Sequence, residues 1–515
     1  MNWEAVGAVE ETIGGIVVII SRLFLRGKYK RIPELQKPKA RERSWTASQT
    51  GWLTGTRSLT VELKERAFML MSTAKRSLPV LALLGLLAGC GESTPGTVSE
   101  TGGAAANVEV GTRAASAPAY PATAFHNNVS LRMSPSRGYA ISPDNARALL
   151  SSDITGIYNT LTVDLLSGEA VPLTSSDDDV RLAVSYFPAD DRVLVTGDVG
   201  GNERYHLFVR EADGTQVDLT PGSETRAAFF GWESGGAAFF VTSNARDPKA
   251  MDLYRVAVDD YDQELIFLNE AALTLQDISE DGRWLAVLDV KSNTDSEILL
   301  LDLASDHVEP LVITDPAVAV SHSIYGFTPD SKALIYSTNA EREFYAASRY
   351  ELATGRHAPY LEADWDIQFV VFSPSGRYQV WGVNADARTH VQIDDLVEGV
   401  QVSLKDLPRG DISSVRFSRD EGSLVFLLSS DTAPGNLYVA TLDGTRTAKL
   451  TDTANPVIDE ADLVETEVIR YESYDGLEIP GILYRPKGAS AETPTPALVW
   501  VHGGPGGQSR TGFSP

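Results

Sequence analysis

Between about residues 139 and 458 apolar and polar positions alternate in short runs, and the runs recur. Each unit opens on an apolar anchor, passes through a turn and continues as alternating strand-formers; F-S-P-S-G-R-Y-Q-V-W from Phe372 is the clearest copy. The same grammar stands at Ile141, Phe187, Trp232, Ile278, Phe327 and Phe417, with steps between anchors of 46, 45, 46, 49, 45 and 45 residues. A second strand-like run follows each anchor by roughly twenty positions, beginning at Leu161, Leu207, Leu253, Ile298, Arg349, Val391 and Leu437. Proline fixes φ and glycine or asparagine accepts a positive φ, so each unit reads as hairpins between β-branched and aromatic strands. A period in the mid-forties with about four short strands per unit predicts a β-propeller, here of seven blades. An irregular β-sandwich has no reason to keep so regular a period. The repeats carry no G-H…W-D pattern.

After the seventh unit the period changes. Two strand-like runs, from Glu467 to Tyr474 and from Leu477 to Tyr484, meet at Asp475-Gly476 and predict a hairpin. Pro494 and Pro496 punctuate, and the run Ala497-Leu-Val-Trp-Val501 predicts a strand covered on both faces. It leads directly into His502-Gly503-Gly504-Pro505-Gly506-Gly507-Gln508. Two glycines let a backbone turn sharply and aim N–H groups into a cleft, with no Cβ in the way of a reacting carbonyl. The glycines do not fit G-x-G-x-x-G and no Lys-Ser/Thr follows, which sets a phosphate loop aside. For these seven residues alone, a purely structural glycine turn is the competing reading.

The front of the chain reads differently again. Residues 1–70 are basic between Arg22 and Arg43, with one apolar run from Ile13 to Ile20. That run falls short of the roughly 20 residues that span a bilayer; it would be an interfacial segment if Met1 is the start. The preferred expectation is that the working start is Met71 or Met69 and that 1–70 is a spurious extension. From Met71, Lys75 and Arg76 form a positive n-region, Leu78 to Leu87 a short apolar region, and Leu87-Ala88-Gly89-Cys90 the close of a lipoprotein-type signal peptide over 71–90. This is similar to the lipobox of bacterial lipoproteins, which implies acylation of Cys90 and a membrane partner. By the same resemblance Gly91 favours the outer membrane. The Gly, Ala, Ser, Thr and Pro content of 91–124 predicts a flexible linker. A lone buried cysteine beside a core helix is the plainer alternative. The propeller is expected over 125–462.

Composition narrows the chemistry. The chain has 515 residues, 43% hydrophobic and 22% charged, as in soluble globular proteins. Its 44 Lys and Arg face 70 Asp and Glu, a net charge of −26. The first 90 residues hold 14 basic and 7 acidic side chains, which leaves 30 against 63 for the remainder. So acidic a surface repels phosphate backbones, which argues against nucleic acid as a partner. One cysteine allows no intrachain disulfide and no cysteine-cluster metal site. Histidines 126, 206, 307, 322, 357 and 390 stand at no ligand spacing. The acidic turns at 177–179 and 259–260 lack a spacing that wraps calcium. No metal and no cofactor are expected.

The order of these features carries a resemblance. A propeller of mid-forties period, the hairpin E-V-I-R-Y-E-S-Y-D-G-L-E-I-P-G-I-L-Y-R-P and then V-W-V-H-G-G-P-G-G-Q resemble the prolyl oligopeptidase family of serine peptidases, most closely its acylaminoacyl-peptidase-like branch. Asp364-Trp365-Asp366 ahead of Phe372-Ser373-Pro374 is similar to blades of that branch. The likeness spans about 125–515 and is most specific over 465–508. It implies a mainly β chain: a seven-bladed β-propeller followed, over 463–515, by the first strands of an α/β-hydrolase domain. It also implies that Gly503 and Gly504 form the oxyanion loop, with the Gly504 N–H as donor, while His502 and Pro505 are structural. Short peptides are the implied substrates. The family's nucleophile sits in G-x-S-x-G, which these 515 residues do not contain. The chain is therefore expected to be an inactive front fragment of an exported serine peptidase. A lipid-anchored binding propeller with vestigial C-terminal strands is the alternative.

Overall fold

Seven antiparallel sheets of four strands each follow one another along the chain, and in every sheet sequence neighbours are hydrogen-bonded neighbours. The structure is a computed structural model, and it describes residues 120–135, 137–305, 308–504 and 507–513. The seven sheets are the blades of a β-propeller: 131–172, 182–218, 227–267, 274–312, 323–361, 366–401 and 411–449. Blade 6 shows the plan, with strands Asp366–Phe372, Tyr378–Ala385, Arg388–Asp395 and Val400–Gln401. The second strand of a blade is the most enclosed, as in Ser423–Ser429 of blade 7, where the five central residues are all buried. The fourth is short and exposed, as in Ala170–Pro172.

Successive side chains of a strand point to opposite faces, and in the inner strands both sets are apolar, so each face packs on a neighbouring blade. Seven hydrophobic clusters result, one at each seam between neighbouring blades. Between blades 2 and 3, for example, Phe187, Leu194 and Leu207 meet Trp232, Phe239 and Val256. The seventh seam closes the ring: Ile141, Leu150 and Val163 of blade 1 pack on Val425, Leu437 and Val439 of blade 7. The first and last blades share no strand. Arginines supplement the closure. The Arg419 guanidinium donates to the carbonyls of Ile141, Phe187 and Pro188 and lies 4.2 Å over the Tyr139 ring. Arg416 donates to the Ser134 carbonyl. From the same first-blade segment Arg137 reaches across the ring, pairing with Asp277 and donating to the Ile278 carbonyl at 3.3 Å.

The anchors fall at the end of the first strand, with one correction. In six blades the anchor sits seven residues before its partner on the second strand: Ile141↔Ala148, Trp232↔Phe239, Ile278↔Leu285, Phe327↔Leu334, Phe372↔Gln379 and Phe417↔Leu424. In blade 2 that place belongs to Tyr186, opposite Val193, and Phe187 is one residue further on. Pro188 holds the signal, standing two residues after Tyr186 as Pro143, Pro329 and Pro374 stand after their anchors. A first strand at Leu131–Met133 also precedes the Tyr139 at which alternation becomes visible, because blade 1 interrupts its inner strand.

The segment entering the ring runs beside the segment leaving it. A short helix, Ala122–His126, lies against residues 453–462. The Tyr120 hydroxyl donates to Asp462 at 2.6 Å and accepts from the Asp459 N–H at 3.0 Å, and the Val129 N–H donates to the Thr453 carbonyl at 2.9 Å.

Candidate active site

The expected hairpin forms from Thr466–Glu472 and Glu478–Tyr484, in register from Thr466↔Tyr484 to Glu472↔Glu478. Its root is fixed on the propeller. Asp431, between the second and third strands of blade 7, accepts from the Thr466 N–H at 2.9 Å, the Thr466 hydroxyl at 2.8 Å and Arg388 at 2.6 Å. Burial alone would push this carboxyl up. The three donors outweigh it and hold Asp431 below the ordinary carboxylate range.

The run Ala497–Val501 departs from the expectation of a covered strand. It forms no ladder among the described residues, and Leu498 is 90% and Trp500 82% exposed. A fully apolar strand is stable only with neighbours on its edges and faces, and among the described residues none lies against it.

His502, Gly503 and Gly504 follow in an exposed turn. His502 lies with Nδ1 3.4 Å from the Gly503 carbonyl oxygen, a local contact that suits a structural place. Gly504 takes φ +70°, a left-handed conformation that a side chain would strain. Among the described residues no hydrogen bond engages the N–H of Gly503 or Gly504. The turn folds back on itself: a Cβ on Gly507 would stand 2.3 Å from the Gly503 carbonyl oxygen and 2.9 Å from His502 Nδ1. Pro505 and Cys90 lie outside the described residues, and the 71–90 and 1–70 expectations fall outside them as well.

What the sequence did not disclose is where this turn is moored. Past Gly507 the chain docks on the tip of the blade-6 hairpin. Asn384 Nδ2 donates to Gln508 Oε1 at 2.8 Å, and Arg510 donates to Asn384 Oδ1 and, at 2.7 Å, to Thr389 Oγ1. Thr511, 6% exposed, sends both its N–H and its hydroxyl to the Ala387 carbonyl at 3.1 Å. Asp386 pairs with Arg470 of the hairpin. The only sequence cue was a short polar interruption, N-A-D-A-R-T, between two strands; its left-handed Asp386 and Ala387 mark a tight turn but not a partner. Three of the scattered histidines have structural partners: His206 with Asp218, His322 with the Ser337 carbonyl, His357 with Tyr336.

No protein-family model matches the chain. Dipeptidyl aminopeptidase BIII of Pseudoxanthomonas mexicana is 23% identical over 394 residues, covering 72% of this chain and 55% of that protein. One of two prolyl endopeptidases analysed for inter-domain dynamics in catalysis and specificity matches with a TM-score of 0.55 at 14% identity, over 72% of this chain and 56% of that one. Prolyl oligopeptidase B from Galerina marginata, without ligand, matches with a TM-score of 0.54 at 15% identity, over 71% of this chain and 57% of that one. The structural likeness speaks to the fold, a seven-bladed propeller of the prolyl oligopeptidase type. The sequence relationship agrees with this likeness to the prolyl oligopeptidase family. The chain spans about half the length of the curated relative it matches.

Proposed function

We propose that these residues belong to an exported serine peptidase that hydrolyses short peptides through an acyl-enzyme, as dipeptidyl and acylaminoacyl peptidases do. The observation that carries the reading is the order of parts: a seven-bladed propeller, a hairpin rooted on it at Thr466, then a glycine turn whose Gly504 is left-handed. In this reading the serine attacks the peptide carbonyl, and the oxygen that becomes negative accepts from the Gly504 N–H. The propeller restricts the cleft to short chains. The reading assigns the serine, acid and base to sequence not contained in these 515 residues, which hold no G-x-S-x-G. The protein is exported and anchored by acylation of Cys90 to a bacterial membrane, facing the periplasm, with the outer membrane favoured by Gly91.

The test is to express the complete reading frame beside the 515-residue polypeptide. The complete protein is expected to react with a fluorophosphonate probe, cleave dipeptidyl naphthylamides and incorporate labelled palmitate at Cys90; the 515-residue polypeptide is expected to show no hydrolysis. Gly504→Val in the complete protein is expected to lower kcat by about 10²–10³, the scale of one oxyanion donor, with KM little changed. A complete protein without a reactive serine overturns the peptidase reading and leaves a binding propeller.

A further inference from the structure

We infer that the tip of the blade-6 hairpin, through Asn384 and Ala387, positions the oxyanion turn, so that the propeller is part of the catalytic architecture as well as a cap over it. The inference rests on the peptidase reading above and adds positioning residues to it. Four observations carry it. Asn384 uses both ends of its amide on the C-terminal segment: Nδ2 donates to Gln508 Oε1, and Oδ1 accepts from Arg510. Arg510 is held from a second side by Thr389 Oγ1 at 2.7 Å. Thr511 is buried and bound twice to the Ala387 carbonyl. Gln508 is bonded in sequence to Gly507, which lies so near Gly503 and His502 that a Cβ there would stand 2.3 Å from the Gly503 carbonyl oxygen.

These contacts form one unbroken path from a rigid blade to the candidate donors. The blade end is stiff: Asn384 and Thr389 are opposite residues in the ladder between the second and third strands of blade 6. Thr389 is itself fixed, its N–H donating to Asp411 of blade 7 at 2.8 Å. Among the described residues the turn end has no such support. A Cβ at Gly503 or Gly504 would meet nothing within 4 Å, and the preceding Leu498 to Val501 is exposed. Between a firm blade and an unsupported turn, the dock at 508–511 is what fixes the turn's position. Oxyanion stabilisation depends on donors held where charge develops, and a displacement on the order of 1 Å can cost about a hundredfold in rate. The Asn384 amide also suits this place chemically, since it donates to one residue and accepts from another.

The experiment uses the complete peptidase. Asn384→Ala and Arg510→Ala are each expected to lower kcat by roughly 10- to 100-fold with KM changed less than about threefold. The double variant is expected to be little worse than either alone, because both break one path. Thr389→Ser, which keeps the hydroxyl, is expected to retain wild-type kcat, whereas Thr389→Val is expected to lose activity. If Asn384→Ala does not fold, the Thr389 pair carries the test, since it leaves the Asn384 amide in place. In the 515-residue polypeptide, amides of 507–513 are expected to exchange faster in Arg510→Ala than in wild type. Wild-type kcat in Asn384→Ala and Thr389→Val overturns the inference while leaving the peptidase reading intact. Equal losses in KM and kcat across the set also overturn it, since they indicate binding rather than positioning. A wild-type protein with no reactive serine overturns the peptidase reading, and this inference with it.

Discussion

Two five-residue runs of nearly the same character have opposite fates in this molecule. Leu424-Val-Phe-Leu-Leu428 is the core of blade 7, every side chain buried. Ala497-Leu-Val-Trp-Val501 is at least as apolar, yet it forms no strand among the described residues and stands in solvent. The difference lies in their surroundings. Leu424–Leu428 has a ladder on each edge, to Ile412, Ser413, Arg416 and Phe417 on one side and to Asn436–Ala440 on the other, and an apolar seam on each face. A strand is a cooperative property of its neighbours, because its backbone groups and side chains are satisfied only by other segments. The propeller supplies neighbours by repetition, each blade presenting to the next what the last presented to it. The C-terminal segment has no repeat to lean on.

Removing a side chain from the two regions should separate them most widely. Phe239 is fully buried at the seam of blades 2 and 3, with the Trp232 ring 5.3 Å and the Phe187 ring 6.2 Å away. Phe239→Ala is expected to destabilise the chain by about 3–5 kcal/mol in denaturant unfolding; a loss under about 1 kcal/mol would mean that the seams are loosely packed.

The junction between the regions offers an intermediate effect. The Asp431 carboxyl is held below its ordinary value in the folded chain, so its contribution is fully present above the unfolded value near about pH 4. That contribution is lost as pH falls through the lower folded value. Amides at the start of Thr466–Glu472 are therefore expected to be strongly protected, relative to their intrinsic exchange rates, at neutral pH and progressively less protected below about pH 4. Asp431→Asn should show low protection throughout. A protection profile flat in pH would show that Asp431 does not hold the hairpin.

The smallest effect on stability belongs to the exposed run. Trp500→Ser in the 515-residue polypeptide is expected to shift unfolding by no more than about 0.5 kcal/mol. The same change is expected to reduce self-association measured by light scattering, since it interrupts an exposed apolar patch. A large destabilisation would show that Trp500 is packed after all.

The same contrast explains what could be read in advance. Seven blades were legible because each anchor and turn was written repeatedly, so noise in one copy was corrected by the others. Where one copy was ambiguous, at Phe187, local apolar character outweighed the proline register that points to Tyr186. The hairpin at 466–484 was legible from alternation around Asp475-Gly476. The glycine turn was legible as a turn, since Gly504 takes the left-handed conformation that glycine allows. Its mooring was not. Asn384 and Arg510 lie 126 positions apart and look like ordinary surface residues; only the folded chain brings them together. Nor could alternation tell that Ala497–Val501 would lack cover.

The seam where Tyr120 and Val129 meet Asp462 and Thr453 has a consequence for how such a protein changes over time. Because the ring is closed by packing and arginine contacts instead of a shared strand, and because the chain enters and leaves it at one doorway, the two ends of the propeller are neighbours. A segment with neighbouring ends can be traded by a single recombination without threading the chain or changing the register of a sheet. A ring sealed by a strand from its far end would tear at such an exchange. This one would travel as a finished part, leaving contacts such as the dock at Asn384, the root at Asp431 and the Asp386–Arg470 pair to be fitted again.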